Sequence, residues 1–305
     1  MTDVGPVLFV HAHPDDETLT TGIAMAHLVD SGVPVHVLTS TLGEEGEVIP
    51  PELAHLDSAH DDALGTHRRE ELRGAMAELG VTHEVLGADE AAGRLSRWRD
   101  SGMAGTPTAA NPAAYVNASL EEAAGLVADV IRRLRPRAVV TYDAEGGYRH
   151  PDHIQTHRVT RAAVASLPED ERPPLYAVVT PLSWARADRA WLAEHLPGDS
   201  GWTLPDPDGE YPPGVMPDEA VTHAVDRPDL VARQADALRH HRTQVTVRED
   251  TYALSNDIAA RLSGREGFVR LDPHTGQPVG AGEDGGYAAT EDFVPRRRLG
   301  EEGRA

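Results

Sequence analysis

The residues best suited to chemistry fall in two short clusters. The first is His11-Ala12-His13-Pro14-Asp15-Asp16-Glu17, and the second is Tyr148-Arg149-His150-Pro151-Asp152-His153, with His157 one turn further on. An imidazole and a carboxylate make up the N/O donor set that suits zinc, and His13 and Asp16 supply one of each. Asp15 cannot easily point the same way as its neighbour Asp16, which frees it for another task. Two adjacent acids beside a histidine repel one another unless a cation lies among them. The dipole at a helix N-terminus would favour Asp16 and Glu17, but it does not explain the two histidines before them. The second cluster offers a third ligand. Either His153 or His150 completes a three-donor site with a position left for water. Of these, His153 is held rigidly on a helix, and His150, at a loop end, is better placed to touch a substrate. Asp152 fits a place behind a ligating histidine, or that of a plain dipole-favoured acid.

These clusters need elements to hold them. Val7 to Val10 is an apolar run that reads as a buried strand, and the stretch from Leu19 to Val29 has helical spacing. Val35 to Ser40 reads as a second strand, so the first cluster sits in the turn of a right-handed parallel crossover. Ligands in open α/β sheets lie beyond the carboxyl ends of strands. Ala138 to Tyr142 is a further strand ending at the second cluster, and Pro151 fits the first position of a helix, which makes His150 its N-cap. Between the clusters the sequence predicts helices over Arg68–Leu79 and, from a Ser119/Glu122 capping box, Ser119–Leu134. The weakly periodic 41–67 stretch is long enough for a functional loop, and the Arg- and Gly-rich Arg94–Thr106 segment could hydrogen-bond a polyol. Further on, Leu175–Thr180 reads as a strand and Leu182–Leu196 as a helix. Pro228 starts another helix, at whose C-terminus His240 and His241 are expected on the surface. The last forty residues read as a Gly-rich, charged tail. The expected fold is α/β: a Rossmann-like, mostly parallel sheet flanked by helices, with a core over 1–180 and a smaller C-terminal subdomain over 181–305 that contributes to the substrate pocket.

Composition narrows the chemistry. The 305 residues contain no cysteine, which excludes thiol nucleophiles, iron–sulfur clusters and Cys-based zinc sites. All 28 residues of the Lys/Arg class are Arg, so Schiff-base and P-loop lysine chemistry are excluded too. A G-x-S-x-G elbow is missing, and no G-x-G-x-x-G lies between the first strand and helix, where the HPDDE stretch stands instead. A formal net charge of −22 argues against nucleic-acid and anionic-membrane partners. No apolar run approaches the ~20 residues of a membrane span, and the chain enters its first strand without a signal peptide, so a cytoplasmic location is expected.

HAHPDDE at one strand end with GYRHPDH at a later one resembles the LmbE-like (PIG-L) zinc deacetylases. TLGEEGEVI, RRE at 68–70, RWRDSGMAGT, VVTYD and RTQV are similar to the branch of that family that deacetylates N-acetylglucosaminyl-inositol in mycothiol biosynthesis. The resemblance implies one zinc ion per chain on His13, Asp16 and His153, though such a ligand set also admits Fe²⁺. It implies Asp15 as general base and Tyr148 and His150 as stabilisers of the oxyanion and helpers of the leaving amine. It further implies a sugar–inositol pocket, away from the metal, that includes Arg68, Asp100 and Met103, with Gln244 near it and Glu47 a weaker member. Arg149 departs from the family pattern, in which a smaller residue usually separates the tyrosine from the histidine; a long Arg there could alter the mobility of the Tyr148 loop. The alternatives are the sister mycothiol S-conjugate amidase and, in another class, a non-catalytic sugar-binding protein with a structural metal.

Overall fold

A computed structural model describes residues 5–279. In chain order the elements are β1 (Val7–His11), α1 (Asp16–Asp30), β2 (Val35–Thr39), α2 (Leu64–Leu79), β3 (Thr82–Val85), α3 (Leu120–Leu134), β4 (Ala138–Tyr142), the irregular turn α4 (Gly146–Arg149), α5 (Pro151–Ser166), β5 (Leu175–Pro181), α6 (Leu182–His195), β6 (Val215–Met216), β7 (His223–Asp226), α7 (Val231–Leu238), β8 (Thr246–Arg248), β9 (Thr251–Ala253), β10 (Ala259–Arg261) and β11 (Arg265–Leu271).

The main sheet runs β3-β2-β1-β4-β5-β11-β7, with β6 alongside β5. The first five strands of that order are parallel. All residues of β1, β2 and β4 are buried, as expected of strands covered on both faces, where apolar runs are continuous rather than alternating. Along β1 the side chains divide between two cores. Val7 and Phe9 pack with Ile23, Met25, Leu72 and Met76. Leu8 and Val10 pack with Val127, Ile131 and Val159 on the other face. The strand order reverses between β1 and β4. That switch point opens a crevice beyond the strands' carboxyl ends, and both chemical clusters begin there.

Several expected boundaries hold. Ser119 Oγ accepts the Glu122 N–H at 3.4 Å, and Gly80 caps α2 at φ 74°, a conformation that costs glycine least. Helix α2 starts at Leu64 rather than Arg68, behind an Ala63 with no capping side chain. The expected C-terminal tail is partly corrected: Arg265–Leu271 is a strand lying antiparallel between β5 and β7, and the rest of that segment from residue 280 lies outside the described residues. A second sheet, β10-β9-β8, is antiparallel and shares a small core of Ala235, Leu238, Val245 and Leu262 with α7. No helix among the described residues is long and apolar enough to cross a membrane.

Candidate active site

Strands β1 and β4 are paired neighbours, so the two clusters meet although they are over 130 residues apart. His13, Asp15, Asp16, His150 and His153 are all buried. The turn after β1 places Asp15 at the N-cap of α1 with φ 111° and ψ −36°, a backbone state that costs a non-glycine residue about 1–3 kcal/mol. After β4, Gly146 and Gly147 take positive φ and let the chain double back into α5. Pro151 is at the first helical position and His150 is the N-cap, as the sequence predicts.

The geometry shows which imidazole nitrogens are engaged. Asp16 Oδ2 lies 3.4 Å from His13 Nδ1 and 3.2 Å from His153 Nε2. His13 Nε2 faces Asp152 Oδ2 at 3.2 Å and Asp100 Oδ1 at 3.4 Å; because carboxylates accept, that nitrogen carries a hydrogen. The other ring nitrogen of His153, Nδ1, donates to the Gly146 carbonyl at 3.2 Å, while its Nε2 is buried without a hydrogen-bond partner. Asp16 Oδ2 thus lies within 3.4 Å of both His13 Nδ1 and His153 Nε2. Ligands at zinc distances on a tetrahedral ion stand about 3.3 Å apart, so these side chains fit a divalent metal. Two sets of potential donors lie within 4.8 Å of one another among the described residues: His13/His150/His153 and His13/Asp100/Asp152. In the first, His150 Nδ1 accepts the Asp152 N–H at 3.2 Å, which leaves His150 Nε2 carrying the hydrogen as a donor. Burial, with His13 and His153 beside it, lowers the pKa of His150 to about 3, so this donor is neutral. In the second, Asp152 is fully buried and already accepts from the Ser101 N–H at 2.9 Å and the Ser101 hydroxyl.

Asp15 stands apart from the Asp16–histidine contacts. Burial pushes its pKa up to about 7, Asp16 and Glu17 adding to the rise and the Arg68 guanidinium opposing it. Arg68 is 3.3 Å from Asp15 Oδ2, donates to the Pro14 carbonyl, and donates to the Gly43 carbonyl at 2.9 Å. Asp100 accepts the Gly102 N–H at 2.8 Å and the Glu45 N–H at 3.3 Å. Despite its burial, neighbouring His13 and that Gly102 N–H hold its carboxyl well below the usual range. Arg68 thus touches Asp15, and Asp100 touches His13. Gln244 donates to the Glu47 backbone carbonyl at 3.0 Å, and a Cβ on Gly46 would meet both Gln244 and Arg68, so the Gln244 and Arg68 side chains lie against the same glycine. Met103, 51% exposed, lies on the loop following Asp100. Tyr148 is half exposed, with its ring 4.9 Å from that of His153 and 6.0 Å from that of His150. Arg149 turns outward to Glu145 at 3.0 Å.

Two contributors escape sequence reasoning. The Tyr142 ring stacks on His153 at 4.2 Å, and its hydroxyl accepts the Ala12 N–H at 2.9 Å, tying the β1 and β4 ends together. His241, expected on the surface, is fully buried and pairs with Glu17 at 2.9 Å; His240 is exposed. Tyr142 reads as an ordinary strand aromatic, and a histidine after a helix carries no sign of a partner 224 positions away.

A doubly wound sheet with a His/Asp cluster at its switch point defines a class, and the chain belongs to the family described as GlcNAc-PI de-N-acetylase (PIG-L), matched over residues 8–164. Among its relatives is the 1D-myo-inositol 2-acetamido-2-deoxy-alpha-D-glucopyranoside deacetylase of Acidothermus cellulolyticus, 43% identical over 97% of this chain and 99% of that one. The enzyme of the same name from Rhodococcus opacus is 46% identical over 86% of this chain and 90% of that one. The solved N,N'-diacetylchitobiose deacetylase of Pyrococcus horikoshii superposes with a TM-score of 0.47 at 23% identity, covering 79% of this chain and 71% of that chain.

Proposed function

We propose that this chain is a metal-dependent deacetylase that hydrolyses the acetamide of 1D-myo-inositol 2-acetamido-2-deoxy-α-D-glucopyranoside in the cytoplasm, giving acetate and the free amine for mycothiol biosynthesis. One observation carries this reading: the Asp16 carboxylate lies 3.4 Å from His13 Nδ1 and 3.2 Å from His153 Nε2, beside a second acid, Asp15, that faces Arg68 instead. The relatives' shared name supports the substrate.

His13 Nδ1, Asp16 Oδ2 and His153 Nε2 would hold the ion, with zinc or iron both suited to this set. A bound divalent ion supplies Lewis acidity, bringing the pKa of water to about 7 and polarising the carbonyl. Asp15 takes a proton from the attacking water, and its raised pKa suits a base working near neutrality. Tyr148 and the His150 Nε2–H donate to the acetamide oxygen as negative charge builds there, each such donor being worth about 2.7–4 kcal/mol of barrier. The departing amine receives from Asp15 the proton that Asp15 took from the water. Asp152 fixes the hydrogen on His13 Nε2 and so leaves Nδ1 free to ligate. Arg68, Asp100, Met103, Gln244 and Glu47 line the sugar–inositol side.

The test is release of acetate from that substrate by metal-loaded protein. Stoichiometric acetate and amine are expected; binding without acetate release would leave a sugar-binding protein with a structural metal.

A further inference from the structure

The reaction needs Asp15 held in a conformation its own backbone disfavours, and the structure shows what holds it. At φ 111° the Asp15 N–H points to Glu17, whose Oε2 accepts it at 2.9 Å. The Glu17 carboxylate is fully buried, and a buried charge must be paired and hydrogen-bonded to stay in place. Its other oxygen accepts from the Thr18 hydroxyl at 2.7 Å and from His241 Nε2 at 2.9 Å. His241 is likewise fully buried. It is fixed by the turn that ends α7: its N–H donates to the Leu238 carbonyl at 2.9 Å, and its own carbonyl accepts the Gln244 and Val245 N–H groups at 3.0 and 2.9 Å. The same turn is tied to α2, where Glu71 accepts the Thr243 N–H at 2.8 Å and its hydroxyl at 2.7 Å. Arg68 lies 3.3 Å from the Asp15 carboxylate.

We propose that His241, through Glu17, is a positioning residue for Asp15: the turn after α7 sets the angle at which the base meets its proton. This rests on the assignment of Asp15 as the base. His241 touches neither substrate nor metal ligands in this scheme, and the chain Asp15 N–H, Glu17 carboxylate, His241 Nε2 is its hydrogen-bonded connection to the chemistry.

Two amides separate this role from simple packing. In His241→Gln the amide nitrogen reaches the place of the imidazole Nε2, whereas in His241→Asn it stops one carbon short. A base displaced by about an ångström costs on the order of 10²-fold in rate. His241→Asn is therefore expected to lower kcat by about 10- to 100-fold, with KM within about 2-fold and metal content unchanged, while His241→Gln recovers most of the loss. On an Asp15→Asn background, already slow, His241→Asn should cost less than about 3-fold more, because residues acting as a unit are not additive. Equal losses in the Asn and Gln variants, loss of bound metal in His241→Asn, or a full further loss on the Asp15→Asn background would each overturn the positioning role and leave the base assignment standing. An Asp15→Asn variant with wild-type turnover would remove the base assignment, and this inference with it.

Discussion

Asp15 and Asp16 are neighbours with opposite surroundings. Asp16 is flanked by His13 and His153, whose attraction holds its carboxyl well below the usual range against the cost of burial. The Asp15 carboxylate faces Arg68, and its backbone N–H donates to Glu17. Asp15→Asn is expected to keep one divalent ion per chain and lose about 10²–10⁴ in turnover, the span for removal of a general base. Asp16→Asn should lose the metal first, as metal analysis after dialysis would show; equal metal loss in both would merge their roles. Behind the ligands, Asp152→Asn takes the charge from the acceptor of His13 Nε2 and should weaken metal affinity about 10- to 100-fold, measured by chelator competition. An unchanged affinity would leave Asp152 as a helix-end acid. At this scale the meeting of the two clusters is legible, because each is marked by its residue types and follows a strand end; His13, Asp16 and His153, which the fold brings together, belong to those clusters. Tyr142 and His241 lie outside them, and their parts depend on who stacks on or pairs with them across the fold.

Helix α1 carries Asp16 and follows Asp15, and it is braced from the far end of the chain. The Glu266 carboxyl on β11 accepts the Ile23 and Ala24 N–H groups at 2.8 Å each, and Gln234 on α7 donates to the Thr18 carbonyl at 2.9 Å. Glu266 has no cationic partner on these contacts, and burial raises its pKa from 4.5 to about 8, the two N–H bonds pulling the other way. The folded state therefore holds a proton that the unfolded state releases near 4.5. Its stabilising share is complete below that value and falls away as pH rises through about 8, at about 1.4 kcal/mol per pKa unit. Glu266→Gln should flatten this limb, so that thermal melts of variant and wild type draw closer, or cross, between pH 5 and pH 9. A wild-type/variant difference in Tm that is constant with pH would show that Glu266 folds ionised. This brace was invisible in the sequence. Parallel strands β1, β2 and β4 show as continuous apolar runs, and α5 shows through its Pro151 start and His150 cap. By contrast β11, rich in Arg and Gly, gains its place from antiparallel pairing with β5 and β7, a non-local contact that no local pattern encodes. The start of α2 was misplaced for a related reason: without a capping side chain at Ala63, its first turn carries no boundary signal.

For the whole molecule, the fold brings the two His/Asp clusters to one switch point, and a net charge of −22 suits neither polyanions nor acidic substrates. Metal that binds the folded chain alone should raise its stability by mass action, about 2.7 kcal/mol at a hundredfold excess over Kd. Chelation is thus expected to lower Tm and abolish turnover, with both restored by adding zinc or ferrous iron; full turnover at less than a tenth of an ion per chain would remove the metal from the account. The proposed sugar–inositol pocket of Arg68, Asp100, Gln244 and Glu47 would offer polar and charged groups, and a hydrogen bond to a charged partner is worth about 1.5–3 kcal/mol, enough for discrimination among sugars that share the acetamide. The most direct test compares kcat/KM for N-acetylglucosaminyl-inositol, plain N-acetylglucosamine and a mycothiol S-conjugate with the same metal-loaded protein. The account predicts that acetate release from the inositol glycoside exceeds that from N-acetylglucosamine by ~10-fold or more, consistent with one such bond, and exceeds cleavage of the conjugate. Equal rates on the two acetylated sugars, or faster cleavage of the conjugate, would contradict it.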